Sequence, residues 1–567
     1  KTALENWKKN TRKTTETGKY GHNILTPNHM ALIRAGYSIE PTQPFIGHNE
    51  SEYSRIIIQS AEEILNVRKE FGFWRFYSYM PPKPAILLVE PALYRQDYAS
   101  KKPKGLYSNR AVIKTLKMIQ KQKGLFSEAE ETFIDELRNS PEAQALLIMR
   151  QTELATFTLG IGVYASQTCS SVIRLGPGVN HVFRLLSDYA RCIRSGKNSS
   201  RVKAKRLFQE VQDALTRYIG SEKISFFEKH NEQIKIIADA PIEWLPIKGL
   251  PLCLQRDCSR INATPGNLLM GQLAKQQSTI VPLEGLKKIL IVTTFEDKDP
   301  LKDMLKASIQ AVEPDCEANI ELDFKTAQNS KEFISILNTF DGNILIFDGH
   351  GADNAKNPIG KLLIGQELVD IWELSNKVRI PPIVILSACD THSLDASSQA
   401  TVGNGFLALG AQTVLATFLP VDGRASAALI ARLIFRISVF VPAALNARKQ
   451  SITWTEVVSG MLRMTLATEI IHELIGLSQG SSSPQGKIQV KANMDINYYG
   501  GDIWYNNLIN NISGLLNQPN EIISGKAEEI MSRSEAIRYL QLGHPENILI
   551  TSQEIIESFI PKTNSKS

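Results

Sequence analysis

Two short segments carry residue types that can do covalent chemistry. Asp348-Gly349-His350-Gly351 runs off the apolar stretch Asn343-Ile344-Leu345-Ile346-Phe347, and Ser387-Ala388-Cys389-Asp390 runs off Ile383-Val384-Ile385-Leu386. A thiol is a poor nucleophile until it ionises. An imidazole beside it holds the thiolate or takes its proton, then returns that proton to a leaving amine. His350 as base and Cys389 as nucleophile are the candidates for these roles, the dyad of a cysteine peptidase. An acyl transition state also needs donors for its oxyanion, and the backbone N–H groups of Gly351 and Cys389 are the candidates for that. Without a Cβ, Gly351 allows a close backbone approach. Singly, each piece has a plain reading: a Cys ending an apolar strand is commonly a small core residue, and His-Gly is commonly a turn. Together, at the ends of two successive strands in an open α/β sheet, they point to a site.

Asp422 follows the next strand, where a cleft wall would form, and a carboxylate there would favour a basic side chain before the scissile bond. Asp390 and Asp353 compete for the same substrate-binding role, and a solvated loop Asp is the plain alternative. The expectation is cleavage after Arg or Lys. His392 reads as a solvated loop residue, because a side chain on the same tight turn as the nucleophile usually points elsewhere.

The elements that must position these groups follow from apolar periodicity. Lys288-Ile289-Leu290-Ile291-Val292 reads as a buried strand, and Asp299-Pro300 opens a helix with Leu301, Met304, Leu305, Ile309 and Val312 on one face. An alternating strand at Ile320 to Phe324 precedes a helix capped by Ser330, and the strand ending at His350 comes next. A hairpin around Leu362-Leu363-Ile364, a helix carrying Leu368, Ile371 and Trp372, and Pro381-Pro382 separate the two reactive segments. After Cys389 come a Gly-rich helix from Gly403 to Gly410, a strand at Thr413 to Ala416 and a long helix from Ala425. Strands alternating with helices imply a doubly wound, mainly parallel sheet. Residues 50 to 235 read mostly as helix, apart from a strand-like Ala85 to Val89 and an aromatic cluster around Trp74 and Phe76, read as core or an interdomain contact. Ser478 to Pro484 reads as a linker.

Composition bounds the rest. A chain of 567 residues exceeds one core, and about 150 residues per domain predicts three or four units. A net charge of +6 with 22% charged and 43% hydrophobic residues is ordinary for a globular protein. Cys169, Cys192, Cys253, Cys258, Cys316 and Cys389 are scattered, fitting neither a disulfide framework nor a zinc site, so a reducing, cytoplasmic compartment is expected. The chain opens on Lys1 without an initiator Met or an apolar leader, as a trimmed chain would. The stretch from Ala427 to Leu445 holds Arg432, Arg436 and Pro442, and reads as a packed helix, with no membrane crossing. A basic run, Arg191, Arg194, Lys197, Arg201, Lys203, Lys205 and Arg206, could bind phosphate backbones, but no aromatic platform interleaves it and a solvated loop is the simpler reading. The phosphate-binding Gly-x-x-x-x-Gly-Lys loop and the Gly-x-Ser-x-Gly elbow are both missing.

From about Ile236 to Leu477 the chain resembles the CHAT domain, the caspase-like peptidase module related to separase. The likeness rests on Asp239 to Pro246 with Gly249-Leu250-Pro251, on Phe347 to Gly351 and Leu386 to Thr391, and on Gly403 to Ala411, Val414 to Asp422 and Ala444 to Arg448, in that order. It implies a caspase-like doubly wound sheet, His350 as base, Cys389 as nucleophile, and no metal or other cofactor in catalysis. Departures fall at His392, where the family often has Gly, at Leu419, often Trp, and at Asp422-Gly423, commonly an acidic pair. The resulting division is a mostly helical sensing or docking region over 1–235, a peptidase domain over 236–478, and a linker with a C-terminal extension over 479–567. The function expected is regulated cleavage of a protein substrate, with an activating partner protein, in a bacterial, antiphage-type pathway acting on a gasdermin-like or other effector. An inactive scaffold, or a nucleic-acid sensor with the peptidase as its effector, are the alternatives.

Overall fold

The computed structural model describes residues 12–13, 24–38, 49–70, 84–91, 109–125, 131–195, 200–275, 277–312, 316, 320–354, 357–394, 400–477 and 480–559. At its centre is a ten-stranded sheet. In chain order its strands begin with β1 (Ile86–Val89), β2 (Ser171–Arg174), β3 (Ile234–Ile237), β4 (Cys258–Ile261), β5 (Lys288–Thr293), β6 (Glu321–Thr326) and β7 (Ile344–Asp348). A separate three-stranded sheet follows, made of β8 (His350–Asn354), β9 (Asn357–Ile364) and β10 (Glu367–Asp370). The large sheet resumes with β11 (Ile383–Ser387), β12 (Thr413–Thr417) and β13 (Tyr539–Gly543). Across it the order is β6-β5-β7-β11-β12-β13-β4-β3-β1-β2, and every neighbouring pair is parallel except β12 with β13.

Strands covered on both faces read as unbroken apolar runs. That is why β7, β11 and β12 are buried along their whole length, while β6, at the edge, leaves Glu321, Lys325 and Thr326 exposed. Each Ile or Leu buried there contributes about 1.5–3 kcal/mol relative to an exposed one. The register matters for function: Asp348 of β7 stands opposite Ser387 of β11, so the chain leaves both strands at the same sheet edge just before His350 and Cys389.

Five helices concern the site: α1 (Phe183–Arg194), α2 (Met304–Val312), α3 (Gly423–Arg448), α4 (Trp454–Ile475) and α5 (Pro484–Tyr498). Asp422 caps α3 by accepting from the Arg424 and Ala425 N–H groups at 3.0 Å, and Thr453 caps α4 by accepting from Glu456 N at 3.2 Å. By length and composition α3 could cross a membrane, yet it packs against α2 and α4 and buries Leu429, Leu433 and Arg436.

The α/β class, the mainly parallel sheet and the helical N-terminal part agree with the sequence pattern. The sheet, however, does not stop at the expected divisions. Residue 235 lies inside β3, strands β1 to β3 extend the same sheet, and β13, from residues 479–567, stands between β12 and β4. A buried ion pair, Lys235 Nζ to Glu546 Oε1 at 2.6 Å, ties β3 to the C-terminal segment. Locally, Leu368 to Trp372 forms the strand β10 followed by a 3-10 turn over Ile371–Leu374, where a helix was expected, and Asn329, not Ser330, caps the helix Ser330–Thr339. Trp74, Phe76, Lys197 and the first two residues of the expected linker lie outside the described residues. Pro484 begins α5.

Candidate active site

β7 ends at Asp348, and after Gly349 the chain enters β8 at His350, while β11 ends at Ser387 two residues before Cys389. The two segments touch through their backbones: a Cβ on Gly351 would lie 2.0 Å from the Cys389 carbonyl oxygen. Only glycine fits there. His350 and Cys389 then line one small cavity of about 60 Å³ at the sheet edge, walled by Phe295, Leu301 and Met304 on one side and by Val421 and Ser426 on the other.

The imidazole is held from two directions. His350 Nε2 lies 2.8 Å from Asp299 Oδ2, and the Phe295 ring meets the imidazole edge-on with centroids 4.9 Å apart. Asp299 is itself fixed, because its Oδ1 accepts from Leu301 N at 2.9 Å. Burial works to raise the Asp299 carboxyl, but its hydrogen bonds to His350 and Leu301 hold it below the ordinary Asp range. An ionised Asp299 accepts the Nε2–H, so the neutral ring offers Nδ1 as its base.

The thiol is at rest. Cys389 Sγ lies 3.4 Å from the Val421 carbonyl, to which it donates. Burial pushes the thiol above its ordinary range; the carboxylates of Asp390 and Glu535 add to this and Arg194 opposes it. A neutral thiol tied to a carbonyl must be released before it can attack. The loop that presents Val421 is braced from the C-terminal segment: Arg538 Nη1 donates to Pro420 O at 3.0 Å and to Glu535 at 2.7 Å, and Glu535 accepts from Asp422 N at 3.2 Å.

Of the three acids expected to bind substrate, Asp422 and Asp390 engage other partners. Asp422 is exposed and its carboxylate caps α3, outside the lining of the dyad cavity. Asp390, in the left-handed region at φ 52°, pairs through Oδ2 with Arg194 Nη2 at 2.7 Å, joining α1 of the N-terminal region to the nucleophile's neighbour. The side chain of Asp353 lies outside the described residues. His392 is not a solvated loop residue: it is buried, with Nε2 3.1 Å from Asn262 Oδ1 and Nδ1 2.8 Å from Thr401 Oγ1, and burial, helped by Arg260, lowers its pKa to about 3.

An acid that does line the cavity is Asp348, which the sequence pattern did not single out. It is buried, its Oδ2 has no hydrogen-bond partner among the described residues, and desolvation raises its pKa to about 7 against the effect of a Ser387 hydrogen bond. In the sequence Asp299 fits only the start of a helix. Its position just before α2's expected face gave no sign that it would meet a His 51 residues away. In the basic run, Arg191 pairs with Asp188, Arg206 with Glu210, and Lys205 donates to Gly525 O. Among the described residues no group of three His, Cys, Asp or Glu side chains could hold a metal ion.

The family model of the CHAT domain matches residues 267–438, which include both His350 and Cys389. Among solved structures, a secreted C11 cysteine protease from Bacteroides thetaiotaomicron, bound to an irreversible peptide inhibitor, is similar at 10% identity and a TM-score of 0.20, over 49% of this chain and 94% of that one. The Saccharomyces cerevisiae separase–securin complex is similar at 11% identity and a TM-score of 0.27, over 94% of this chain and 27% of that one. No curated protein matches the chain. The segment that carries the histidine and the cysteine at one sheet edge, residues 267–438, is thus the part of the chain that matches the CHAT domain.

Proposed function

We propose that the chain is a cysteine endopeptidase of the CHAT type, cleaving a protein substrate with Cys389 as nucleophile and His350 as general base and acid. One observation carries the reading: His350 and Cys389 line the same cavity, with Asp299 orienting the imidazole. In the reaction, His350 Nδ1 takes the thiol proton, the sulfur bonds to the scissile carbon, and the backbone N–H groups of Gly351 and Cys389 stabilise the oxyanion. The C–N bond then breaks as the imidazolium protonates the amine, and water hydrolyses the thioester. The preference for Arg or Lys before the cleaved bond is assigned to Asp348 in place of Asp422, because Asp348 offers a buried carboxylate oxygen without a partner.

The thiol bonded to Val421, and a cavity of only about 60 Å³, favour an enzyme held at rest until a partner protein acts on it. A reducing, cytoplasmic setting and a bacterial antiphage pathway with a gasdermin-like effector are narrower parts of the proposal and rest on the family resemblance alone. The test is incubation of the purified chain with candidate protein substrates together with candidate activating partner proteins, with and without Cys389→Ala. Fragments in the wild-type sample alone support the peptidase; identical patterns in both favour a binding scaffold.

A further inference from the structure

Helices α3, α4 and α5 line a second, half-open cavity of about 600 Å³, away from the dyad. That is room for roughly twenty waters at about 30 Å³ each. Phe440, Met461, Met464 and Ile471 give it an apolar wall, and among the described residues no carboxylate lines it. Two guanidinium groups do. Arg436 is already engaged: Nε donates to Val457 O at 2.9 Å, Nη1 to Asn497 Oδ1 at 3.0 Å, and the group lies 3.7 Å from the Phe440 ring centroid. Arg432 makes no hydrogen bond with any described residue, and the acid acting on it electrostatically, Glu469, is outside the lining. A largely apolar cavity of this size, with one guanidinium in its wall that no described residue hydrogen-bonds, is the complement of a ligand with one negative charge and an alkyl body.

We propose that this cavity binds a single-chain aliphatic carboxylate, its head group on Arg432 and its tail along Phe440, Met461 and Met464. One free guanidinium matches a monoanion; a phosphate dianion would need further donors, and those of Arg436 are largely engaged within the fold. The site has a physical connection to the dyad. The first turn of α3, at Gly423 and Ser426, borders the dyad cavity, and Arg432 lies farther along the same helix. Glu469, which acts on Arg432, accepts from Glu535 N at 3.4 Å, and Glu535 braces the loop that presents Val421 to the thiol. A carboxylate on Arg432 therefore changes the electrostatic balance at Glu469, and the proposal holds whether or not the dyad cleaves peptides.

The test uses the full chain and three probes below their micelle concentrations: dodecanoate, dodecan-1-ol and acetate. Calorimetry and thermal unfolding are expected to show saturable one-to-one binding of dodecanoate with a raised Tm, at least tenfold weaker binding of the alcohol, and none of acetate. Arg432→Gln is expected to weaken dodecanoate at least tenfold and leave the alcohol unchanged. Equal affinity of acid and alcohol for the wild-type chain overturns the proposal without any variant. No saturable dodecanoate binding, or an unchanged affinity in folded Arg432→Gln, overturns it as well.

Discussion

Replacing Asp348 with Asn is expected to stabilise the protein, and to do so only above about pH 3.8, where the carboxyl is ionised in the unfolded chain. In the folded chain Asp348 keeps its proton up to about pH 7, whereas an unfolded Asp releases it near 3.8. Between those values the folded state binds more protons than the unfolded one, so this group makes stability fall as pH rises, by about 1.4 kcal/mol per unit. The loss begins near pH 3.8 and is complete above about 7, where it reaches about 4 kcal/mol. The amide of the Asp348→Asn variant does not titrate and carries no such penalty. Urea unfolding of both proteins between pH 5 and 8 should therefore show the variant gaining about 3 kcal/mol on the wild type across that interval. Glu535, raised to about 7 by burial, and His392, lowered to about 3, titrate in both proteins and drop out of the difference. His350 and Cys389 share the cavity with Asp348 and are unchanged in the variant. A difference that stays flat with pH, or shrinks as pH rises, would refute the assignment of an unpartnered, buried carboxylate. The same variant should lose preference for Arg or Lys before the cleaved bond, since a basic side chain would supply the partner that Oδ2 lacks.

Other perturbations separate the parts of the site. Asp299→Asn is expected to lower kcat by roughly 10²-fold with little change in KM, because it disturbs the tautomer of His350 and leaves the cavity lining alone; an unchanged kcat would contradict this. Glu546→Ala leaves the Lys235 ammonium buried without its acid and should cost about 3–5 kcal/mol in an unfolding titration, tying the C-terminal segment to the N-terminal half of the sheet. Arg194→Ala breaks a partly exposed pair and should cost less than about 1 kcal/mol, yet slow alkylation of Cys389, measured on its own peptide by mass spectrometry, because a cation near the thiolate is lost.

Much of the dyad half was legible because buried parallel strands announce themselves as apolar runs, and the polar residues just beyond them mark the sheet edge. Ile344 to Phe347 and Ile383 to Leu386 behave in this way, and the residues after them share an edge because the strands are neighbours in register. Pairings between distant parts of the chain carry no local signal. Nothing in Tyr539 to Gly543 shows that this strand inserts beside β12, or that Glu535 and Arg538 brace the loop at Val421. By position Asp422 fits a pocket acid, but Asp-Gly-Arg-Ala before a long apolar helix also fits a cap, and the capping role is the one its carboxylate takes. Leu368, Ile371 and Trp372 have helical spacing, but Leu368 is exposed while Val369 and Ile371, two residues apart, are buried, as strand spacing requires. Asp348 was visible in the motif; its burial was not, and burial is what gives the carboxylate its chemistry.

The most direct measurement is cleavage of a peptide library by the wild-type chain, Cys389→Ala and His350→Ala, each mixed with candidate activating partner proteins, read by mass spectrometry. Cuts after Arg or Lys in the wild-type sample, absent from both variants while their unfolding free energies stay within about 1 kcal/mol of the wild type, are the predicted result. Cuts that persist without the sulfur or the imidazole would contradict a catalytic dyad at this sheet edge.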